Sequence, residues 1–439
     1  MQLVKMPKVK NTFFLFLYLV SAGLVAQDTR LLSGTIYDAA TGETLPFATV
    51  SLKGTSLGTV SNSQGIYNFR IPSRSQYPLV ANFIGYEPFE IAIADIKEDR
   101  MDIRLKSSSI ELKELTIRPL TAAEYVKLAV SKFPQNYANE PFQTQAYYRE
   151  KFAENGNPLK YTEGYFKSHY PNYVSGDSTQ HRLLLYNEVD DPAELAFMLR
   201  KRNKKEAKKR KKAEKKGEEY EADEGGELIQ ASFGGPSSIL SDDPISSTED
   251  YLDTLKLHKK FKFEYTGAAS YLGRQLLIVS FKSKGKVDHV KMVGKIYFDY
   301  DSDAIVAIES SGKIVVPAWA RPFLFAFGLA INEPTFKQTI RYQLRGEKWY
   351  PENFFTQANI GLTKRYIMAK NERSDFEFQH LLSIHQLEIK DTPILEKNRF
   401  DPDEEMKEQI KPEDGLSWEK VSTLVPESIS EKATEIEEE

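Results

Sequence analysis

The stretch that decides the fold of the N-terminal part of the chain runs from residue 34 to residue 59, where apolar runs alternate with turns. It reads Gly34-Thr-Ile-Tyr-Asp38, then Thr41-Gly-Glu-Thr-Leu-Pro-Phe-Ala-Thr-Val50, then Gly54-Thr-Ser-Leu-Gly-Thr59. Turn signals on both sides recur about every ten residues, which is typical of an antiparallel sandwich. The pattern predicts seven strands, at Leu32 to Tyr37, Phe47 to Lys53, Gly58 to Ser61, Ile66 to Ile71, Leu79 to Ile84, Phe89 to Ile93 and Met101 to Leu105.

These motifs, with Gly65-Ile-Tyr-Asn-Phe69 and Phe83-Ile-Gly-Tyr-Glu87, resemble the carboxypeptidase-regulatory-like domain family over residues 31–106. The resemblance implies a transthyretin-like, seven-stranded Greek-key sandwich of the kind that opens bacterial envelope proteins and outer-membrane receptors. It also implies a docking or spacer module without catalytic machinery. Asn62 departs from the family, which commonly has Asp in this turn. Residues 141–150 also look like a segment that follows such domains in uncharacterised envelope proteins.

After a linker at 107–120, with one strand expected at Glu114 to Ile117, residues 121–395 are expected to form a second, larger β domain. Thr121 and Glu124 have the spacing of a capping box and predict one helix, which Pro134 ends. Asn155-Gly156 predicts a tight hairpin turn, and Asp301 to Asp303 another. The fold class is therefore mainly β, with a large antiparallel sheet after the helix. A closed barrel, a half-barrel and a flat sheet with one wet face all remain open.

The N-terminus has the pattern of a secretory signal peptide over residues 1–26. Lys5, Lys8 and Lys10 precede an apolar run from Phe13 to Val25, and Ala26 offers a small residue for cleavage. Because Leu24 is an imperfect match to the small residue expected at the −3 position, cleavage at Ala22 or Gly23 also stays open. An uncleaved anchor is the alternative to a cleaved signal. The pattern predicts an exported protein, periplasmic or associated with the outer membrane.

A charged insertion at about 193–230 interrupts the second domain. Twelve of the seventeen residues from Arg200 to Lys216 are Lys or Arg, and an acidic run follows. The favoured interpretation is a solvated helix or disordered segment paired with its own acids. The functional alternative is peripheral contact with anionic lipid head groups, through Lys204, Lys205, Lys208, Lys209, Arg210, Lys211 and Lys212. Export argues against a nucleic-acid partner.

Residues 314–331 form an unusually apolar segment. Pro317, Arg321 and Pro322 exclude an ordinary membrane-spanning helix. The segment is either a hydrophobic plug packed on the sheet, or an apolar lid or membrane contact. The residues that would form the lid are Trp319, Phe323, Phe325 and Phe327.

Motifs for catalysis are scarce. The chain has no cysteine, no nucleophile elbow and no phosphate-binding loop. His385 and Glu388 have the spacing of a zinc-peptidase pair, but residues three apart in a strand point to opposite faces. The six histidines, at positions 169, 181, 258, 289, 380 and 385, are expected to be surface or hydrogen-bonded structural residues. We therefore expect no catalytic, metal or cofactor-binding residues, and no cofactor.

A non-enzymatic envelope protein is the leading interpretation. Its second domain would bind a lipid-like ligand, or an outer-membrane or periplasmic protein. A purely structural interaction module and a hydrolase without a recognisable motif are the alternatives. The acidic tail, residues 396–439, is expected to be mobile or loosely docked.

Overall fold

The computed structural model describes residues 29–55, 57–108, 120–174, 179–190, 207, 211, 215, 234–246, 260–285, 290–316, 322, 324–325, 328–366 and 370–424. The expected signal peptide, the strand at Glu114 to Ile117 and most of the charged insertion lie outside these ranges.

The first unit is a sandwich of two small sheets, as expected. Its strands are β1 (Thr29–Asp38), β2 (Thr49–Leu52), β3 (Gly58–Val60), β4 (Ile66–Pro72), β5 (Leu79–Asn82), β6 (Phe89–Ile91) and β7 (Ile103–Leu105), with a 3₁₀ turn at Ile93–Asp95. One sheet has the order β4-β1-β7 and the other β3-β2-β5-β6. Alternate residues point inward, so Tyr67, Phe69 and Ile71 of β4 are buried in the core between the sheets.

Within the described residues of the second unit, bounds are defined for three helices and ten strands. The helices are α1 (Ala122–Ser131), α2 (Phe133–Asn136) and α3 (Pro236–Leu240). The strands are β8 (Phe142–Glu154), β9 (Asn157–Tyr170), β10 (Gln180–Asp190), β11 (Phe261–Tyr271), β12 (Arg274–Ser283), β13 (Val290–Asp299), β14 (Ile305–Ile314), β15 (Leu329–Arg345), β16 (Lys348–Lys364) and β17 (Glu372–Glu388). Three short 3₁₀ helices follow, at Glu396–Asn398, Met406–Gln409 and Trp418–Lys420.

All ten strands form one antiparallel sheet with the order β10-β9-β8-β17-β16-β15-β14-β13-β12-β11. The first and last strands of the unit, β8 and β17, are therefore hydrogen-bonded neighbours. The edges are β10 and β11, which follow each other in sequence but do not pair within the described residues. The charged insertion connects these two edges.

The sheet is strongly curved, which favours the half-barrel over the flat sheet. Tyr173 follows β9 and Tyr342 lies on β15, and these two strands are four positions apart in the sheet. Four steps in a flat sheet would span about 19 Å. Both hydroxyls nevertheless bond one carboxylate, that of Asp243. The concave face closes around α1, α2 and residues 234–246 to form one core.

The capping box and the hairpin turn predicted from the sequence are both present, but the predicted end of the helix at Pro134 is wrong. Thr121 accepts a hydrogen bond from the Glu124 amide, and the Glu124 carboxylate accepts one from the Thr121 amide, so the capping box is present. Asn155 and Gly156 both have positive φ, at 52° and 84°, as a two-residue hairpin turn requires. Pro134 does not end the helix: α1 ends at Ser131, and Pro134 lies in the first turn of α2, where it breaks no helical hydrogen bond.

The tail also differs from expectation. Phe400, Met406, Val421 and Leu424 are all less than 9% exposed, so residues 396–424 are packed against the rest of the protein. Val421 and Leu424 share an apolar cluster with Val60 of the sandwich and with strands β8, β9 and β17. The acidic composition concealed these apolar anchors, because they are spaced irregularly.

Candidate functional site

An apolar cavity of about 120 Å³ lies between α1 and the concave face of strands β11–β15. Twelve of its fifteen lining residues are apolar: Val126, Val130, Phe133, Pro244, Phe261, Phe263, Phe281, Met292, Ile296, Ile305, Ile308 and Ile340. The other three, Asp242, Ser310 and Gln338, are polar. An engineered apolar cavity of about 150 Å³ stays dry and binds benzene, so this space suits one small apolar group.

Helix α1 forms one wall of the cavity, and a buried aspartate holds that helix in place. Tyr125 donates a hydrogen bond to Oδ1 of Asp303 at 2.8 Å, and Lys132 contacts Oδ2 at 2.6 Å. Asp303 is fully buried in the turn between β13 and β14. Because α1 is held at these points, Val126 and Val130, one helical turn apart, both face the cavity.

The opposite wall comes from alternating residues on neighbouring strands. Phe263 of β11 lies directly opposite Phe281 of β12, with ring centroids 6.5 Å apart. Met292 of β13 lines the cavity, whereas the next residue, Val293, points outward and is 45% exposed. The two-residue period of the strands therefore separates the cavity face from the solvent face.

Three polar side chains meet on one side of the cavity. Gln338 donates a hydrogen bond to Asp242 at 3.1 Å, and Ser310 lies 3.5 Å from the Gln338 carbonyl oxygen. A large part of Asp242 is accessible, yet the surrounding walls displace enough water to raise the pKa of its carboxyl. These groups can hydrogen-bond the polar end of a ligand whose apolar part occupies the cavity.

A second buried polar cluster lies elsewhere on the concave face. Tyr148 donates a hydrogen bond to Glu150, and its hydroxyl is 2.7 Å from Nε2 of His380. Burial lowers the pKa of His380 to about 3 and raises that of Tyr148 well above its usual value. Both side chains are therefore neutral near pH 7, and none of the three residues lines the cavity.

The histidines are more buried than expected. Residues 169, 181, 380 and 385 are all less than 9% exposed, and the other two lie outside the described residues. His385 forms no hydrogen bond through either ring nitrogen within those residues, so expecting it to be a surface or hydrogen-bonded residue was wrong. Glu388 is exposed while His385 is buried, and so the two do not converge. The described residues contain no group of three or more His, Asp or Glu placed to hold a metal ion.

Most of the site residues singled out in the sequence lie outside the described residues. Of the apolar segment, Trp319, Phe323 and Phe327 lie outside, and Phe325 is 76% exposed. Of the basic run, Lys211 lies in a helical turn and is exposed, whereas Lys204, Lys205, Lys208, Lys209, Arg210 and Lys212 lie outside.

Sequence reasoning missed the cavity. Its signals were present but ordinary: Val126 and Val130 share a helix face, and Phe261 and Phe263 share a strand face. Residues of a fully packed core show the same spacing. The spacing of apolar residues alone therefore could not distinguish the lining of a cavity from a filled core.

Within the described residues, no helix combines the length and the apolar character needed to cross a bilayer.

Two solved structures are similar over much of the chain, but only weakly. A DUF1329 family protein from Desulfovibrio piger is 11% identical with a TM-score of 0.24, covering 63% of this chain and 96% of that protein. A putative membrane-associated protein of unknown function from Bacteroides fragilis is 12% identical with a TM-score of 0.15, covering 81% and 97%. At these TM-scores, neither likeness bears on the fold or function of this chain.

Comparison by sequence is informative for the first unit. TonB-dependent receptor P3 of Formosa agariphila is 31% identical over 110 residues, which are 25% of this chain and 11% of that receptor. A family model described as a CarboxypepD_reg-like domain matches residues 32–117. This match agrees with the motifs and with the seven-stranded sandwich. Residues 32–117 therefore belong to the carboxypeptidase-regulatory-like domain family.

Proposed function

We propose that this chain is an exported, non-enzymatic envelope protein whose second unit binds the apolar part of a small amphiphile. The observation that carries the proposal is the cavity between α1 and strands β11–β15. Ligand sites are typically concave and mostly apolar, with a few polar groups that orient the ligand. Here Asp242, Ser310 and Gln338 supply those groups. The similarity of 110 residues of this chain to part of a TonB-dependent receptor supports a place in the envelope.

The size of the cavity limits the ligand. At about 120 Å³ it is smaller than most ligand pockets, which measure about 300–1,000 Å³. A ring or a short alkyl group fits, whereas a complete diacyl lipid does not. The ligand is therefore a molecule with one compact apolar group beside a hydrogen-bonding group.

A protein-interaction module is the runner-up, because β10 and β11 are the edge strands of the sheet as far as the structure describes the chain. Charged residues on an edge oppose strand addition, and β11 carries exposed Lys262 and Glu264. This feature favours the cavity over the edge as the binding element.

Substituting one cavity residue tests the proposal. Met292→Trp should fill the space and abolish binding of an apolar fluorescent probe such as N-phenylnaphthylamine. Val293→Trp is the matched control, because it adds the same ring to the outer face of the same strand. Native mass spectrometry of the protein purified from its envelope should detect a bound small molecule that the Met292→Trp variant lacks. Equal binding by both variants would contradict the cavity as the site.

A further inference from the structure

A second recess, of about 680 Å³, lies near the ends of β13–β15. Lys291 of β13 lines this recess, whereas the next residue, Met292, lines the cavity. The walls of the recess combine apolar residues, among them Val315, Leu324 and Ile331, with three cationic side chains. The cations are Lys291, Lys313 and Arg365, and all three are exposed. Apolar surface rimmed by one sign of charge is typical of an interaction site.

The arrangement of the cations points to an anionic partner. Lys291 and Lys313 lie directly opposite each other on β13 and β14, a placement that is destabilising without a counter-charge. Within the described residues, none of the three cations forms a salt bridge. The nearest acid along β14, Glu309, lies opposite Lys295 and accepts a hydrogen bond from Tyr297. The recess therefore has positive charge that the described chain does not neutralise.

An exposed aromatic ring lies beside these cations. Phe325 is 76% exposed, the highest value among the large exposed apolar residues. A turn attaches its backbone to the sheet: the Gly328 amide donates to the Phe325 carbonyl at 2.9 Å, and the Arg365 amide donates to the Gly328 carbonyl at 2.7 Å. Gly328 adopts a φ of +65°, which favours glycine. The ring of Phe325 is thus exposed to solvent, and its backbone is bonded to Gly328 at the start of β15.

The hydrogen bonds that attach α1 and α2 to the sheet lie at the other end of the half-barrel from the recess. The recess lies where β13 begins, β14 ends and β15 begins. Helices α1 and α2 attach at the opposite end, where Tyr137 bonds the Ile305 carbonyl and Lys348 bonds the Gln135 carbonyl. The sandwich also contacts that opposite end, through the hydrogen bond between Gly85 and Ser270.

We propose that the end of the half-barrel bearing Phe325 docks on an anionic lipid bilayer. Phe325 enters the head-group region, and Lys291, Lys313 and Arg365 contact phosphate-bearing head groups. Aromatic residues favour the membrane interface, and basic residues near an anionic surface are attracted to it. This surface is separate from the ligand cavity, so each proposal can fail without the other.

Vesicle sedimentation tests the docking surface in the full chain. Phosphatidylglycerol vesicles should bind the protein more tightly than phosphatidylcholine vesicles, and high salt should weaken the difference. The triple variant Lys291→Gln, Lys313→Gln, Arg365→Gln should bind phosphatidylglycerol about a hundredfold more weakly, at about fivefold per cation. Phe325→Ser should lose about tenfold, and Phe325→Trp should retain binding.

A matched triple variant controls for total charge, which matters because the basic run is present in every variant. The control removes the same charge from exposed positions on the sandwich, with Lys97→Gln, Arg104→Gln and Lys106→Gln. Its vesicle binding should stay within about twofold of the native protein, because charges farther from the bilayer than the Debye length are screened. The charge-retaining variant Lys291→Arg, Lys313→Arg, Arg365→Lys keeps binding if docking depends on the positive charge, and checks that these positions tolerate change.

Three outcomes would overturn the proposal. They are equal losses from the two Gln triples, equal binding to neutral and anionic vesicles, and displacement by inorganic phosphate beyond that by chloride of the same ionic strength. The last outcome would indicate a site for a free anion. The Met292→Trp variant should bind vesicles as the native chain does, which separates this surface from the cavity.

Discussion

Asp243 is fully buried, and it determines where the polar part of the cavity lies. Its carboxylate accepts hydrogen bonds from Tyr173, Tyr342 and the Ile245 amide. Burial raises the pKa of this carboxyl, and the hydrogen bonds oppose that effect. The three contacts hold residues 242–245 inside the curved sheet, and so place Asp242 at the cavity.

His385 is a buried polar side chain whose two ring nitrogens form no hydrogen bond within the described residues. It lies between the rings of Tyr147 and Tyr165, with centroids 6.2 and 6.1 Å away. Burial lowers the pKa of His385 from 6.5 to about 3. Between about pH 3 and pH 6.5, the unfolded chain therefore binds a proton at His385, whereas the folded protein does not. This difference lowers the free energy of unfolding as pH falls below 6.5, by about 1.4 kcal/mol per pH unit.

We expect His385→Phe to stabilise the protein. At pH 8 the gain should be about 1 kcal/mol, because a buried polar group without a hydrogen bond is removed. At pH 5 the gain should be about 3 kcal/mol. At this pH His385 binds a proton in the unfolded chain but not in the folded protein, and the substitution removes the loss of stability that this difference causes. Urea unfolding at both pH values measures the difference. Effects of Asp243 and Glu352, whose pKa values are raised, are common to both proteins and cancel.

The control for this prediction is His181→Phe. His181 shares a hydrogen bond with Ser168 at 2.8 Å, so this change leaves the buried hydroxyl without that partner. It should destabilise the protein at pH 8 by about 1 kcal/mol. Similar results from the two substitutions would show that His385 has a partner in solution.

At the scale of elements, the capping box of α1 links the sequence to the cavity. Thr121→Ala should lower the free energy of unfolding by about 1 kcal/mol, because the Glu124 amide loses its acceptor. It should also weaken ligand binding slightly, since α1 carries Val126 and Val130. Thermal unfolding and probe titration measure the two effects.

Thr121→Ser provides the comparison, since it keeps the hydroxyl that accepts the bond. This variant should stay within about 0.5 kcal/mol of the native protein. Equal free energies of unfolding for the Thr121→Ala and Thr121→Ser variants would show that the cap does not contribute to stability.

At the scale of the whole molecule, a buried interface joins the sandwich to the half-barrel. Arg341 is 2% exposed, donates a hydrogen bond to the Phe47 carbonyl and lies 4.9 Å from the ring centre of Phe83. Phe47 has a φ of +59°, an uncommon value for a residue other than glycine. Its ring packs against Phe355 of β16 with centroids 4.3 Å apart. Beside them, Thr49 donates a hydrogen bond to the buried carboxylate of Glu352 at 3.4 Å.

Arg341→Ala should loosen this interface and lower the free energy of unfolding by about 3 kcal/mol. Its loss leaves the Phe47 carbonyl without a donor. It also removes a cation that opposes the effect of burial, which raises the pKa of Glu352. The rate of amide hydrogen exchange should increase more at β2 and β3 than in the core of the half-barrel, relative to the native protein.

Lys337→Ala is the matched control, because Lys337 lies on the same face of β15 but is exposed. It should change stability by less than about 0.5 kcal/mol. Uniform acceleration of exchange across both units in the Arg341→Ala variant would contradict a role confined to the interface.

Local signals predicted much of the fold, because they depend on neighbours in sequence. The sandwich strands, the Asn155-Gly156 turn and the Thr121 cap all follow from spacing and backbone preference. Arg341 alternates with apolar residues along β15, and nothing in this pattern indicates that the sandwich covers the face on which Arg341 lies. The buried tail residues were missed because they are spaced irregularly within an acidic segment.

The sequence by itself determined the mainly β class, the sandwich family and the helix that precedes the sheet, since each is written in short-range patterns. Only the tertiary structure decided the curvature of the ten-stranded sheet, the pairing of β8 with β17, the cavity under α1 and the meeting of Lys291 with Lys313. Each of these features brings together residues that are far apart in the chain. The distance between such residues depends on how many strands of the sheet lie between them. A cavity is also the space that packed side chains leave unfilled, and no residue pattern specifies such a space.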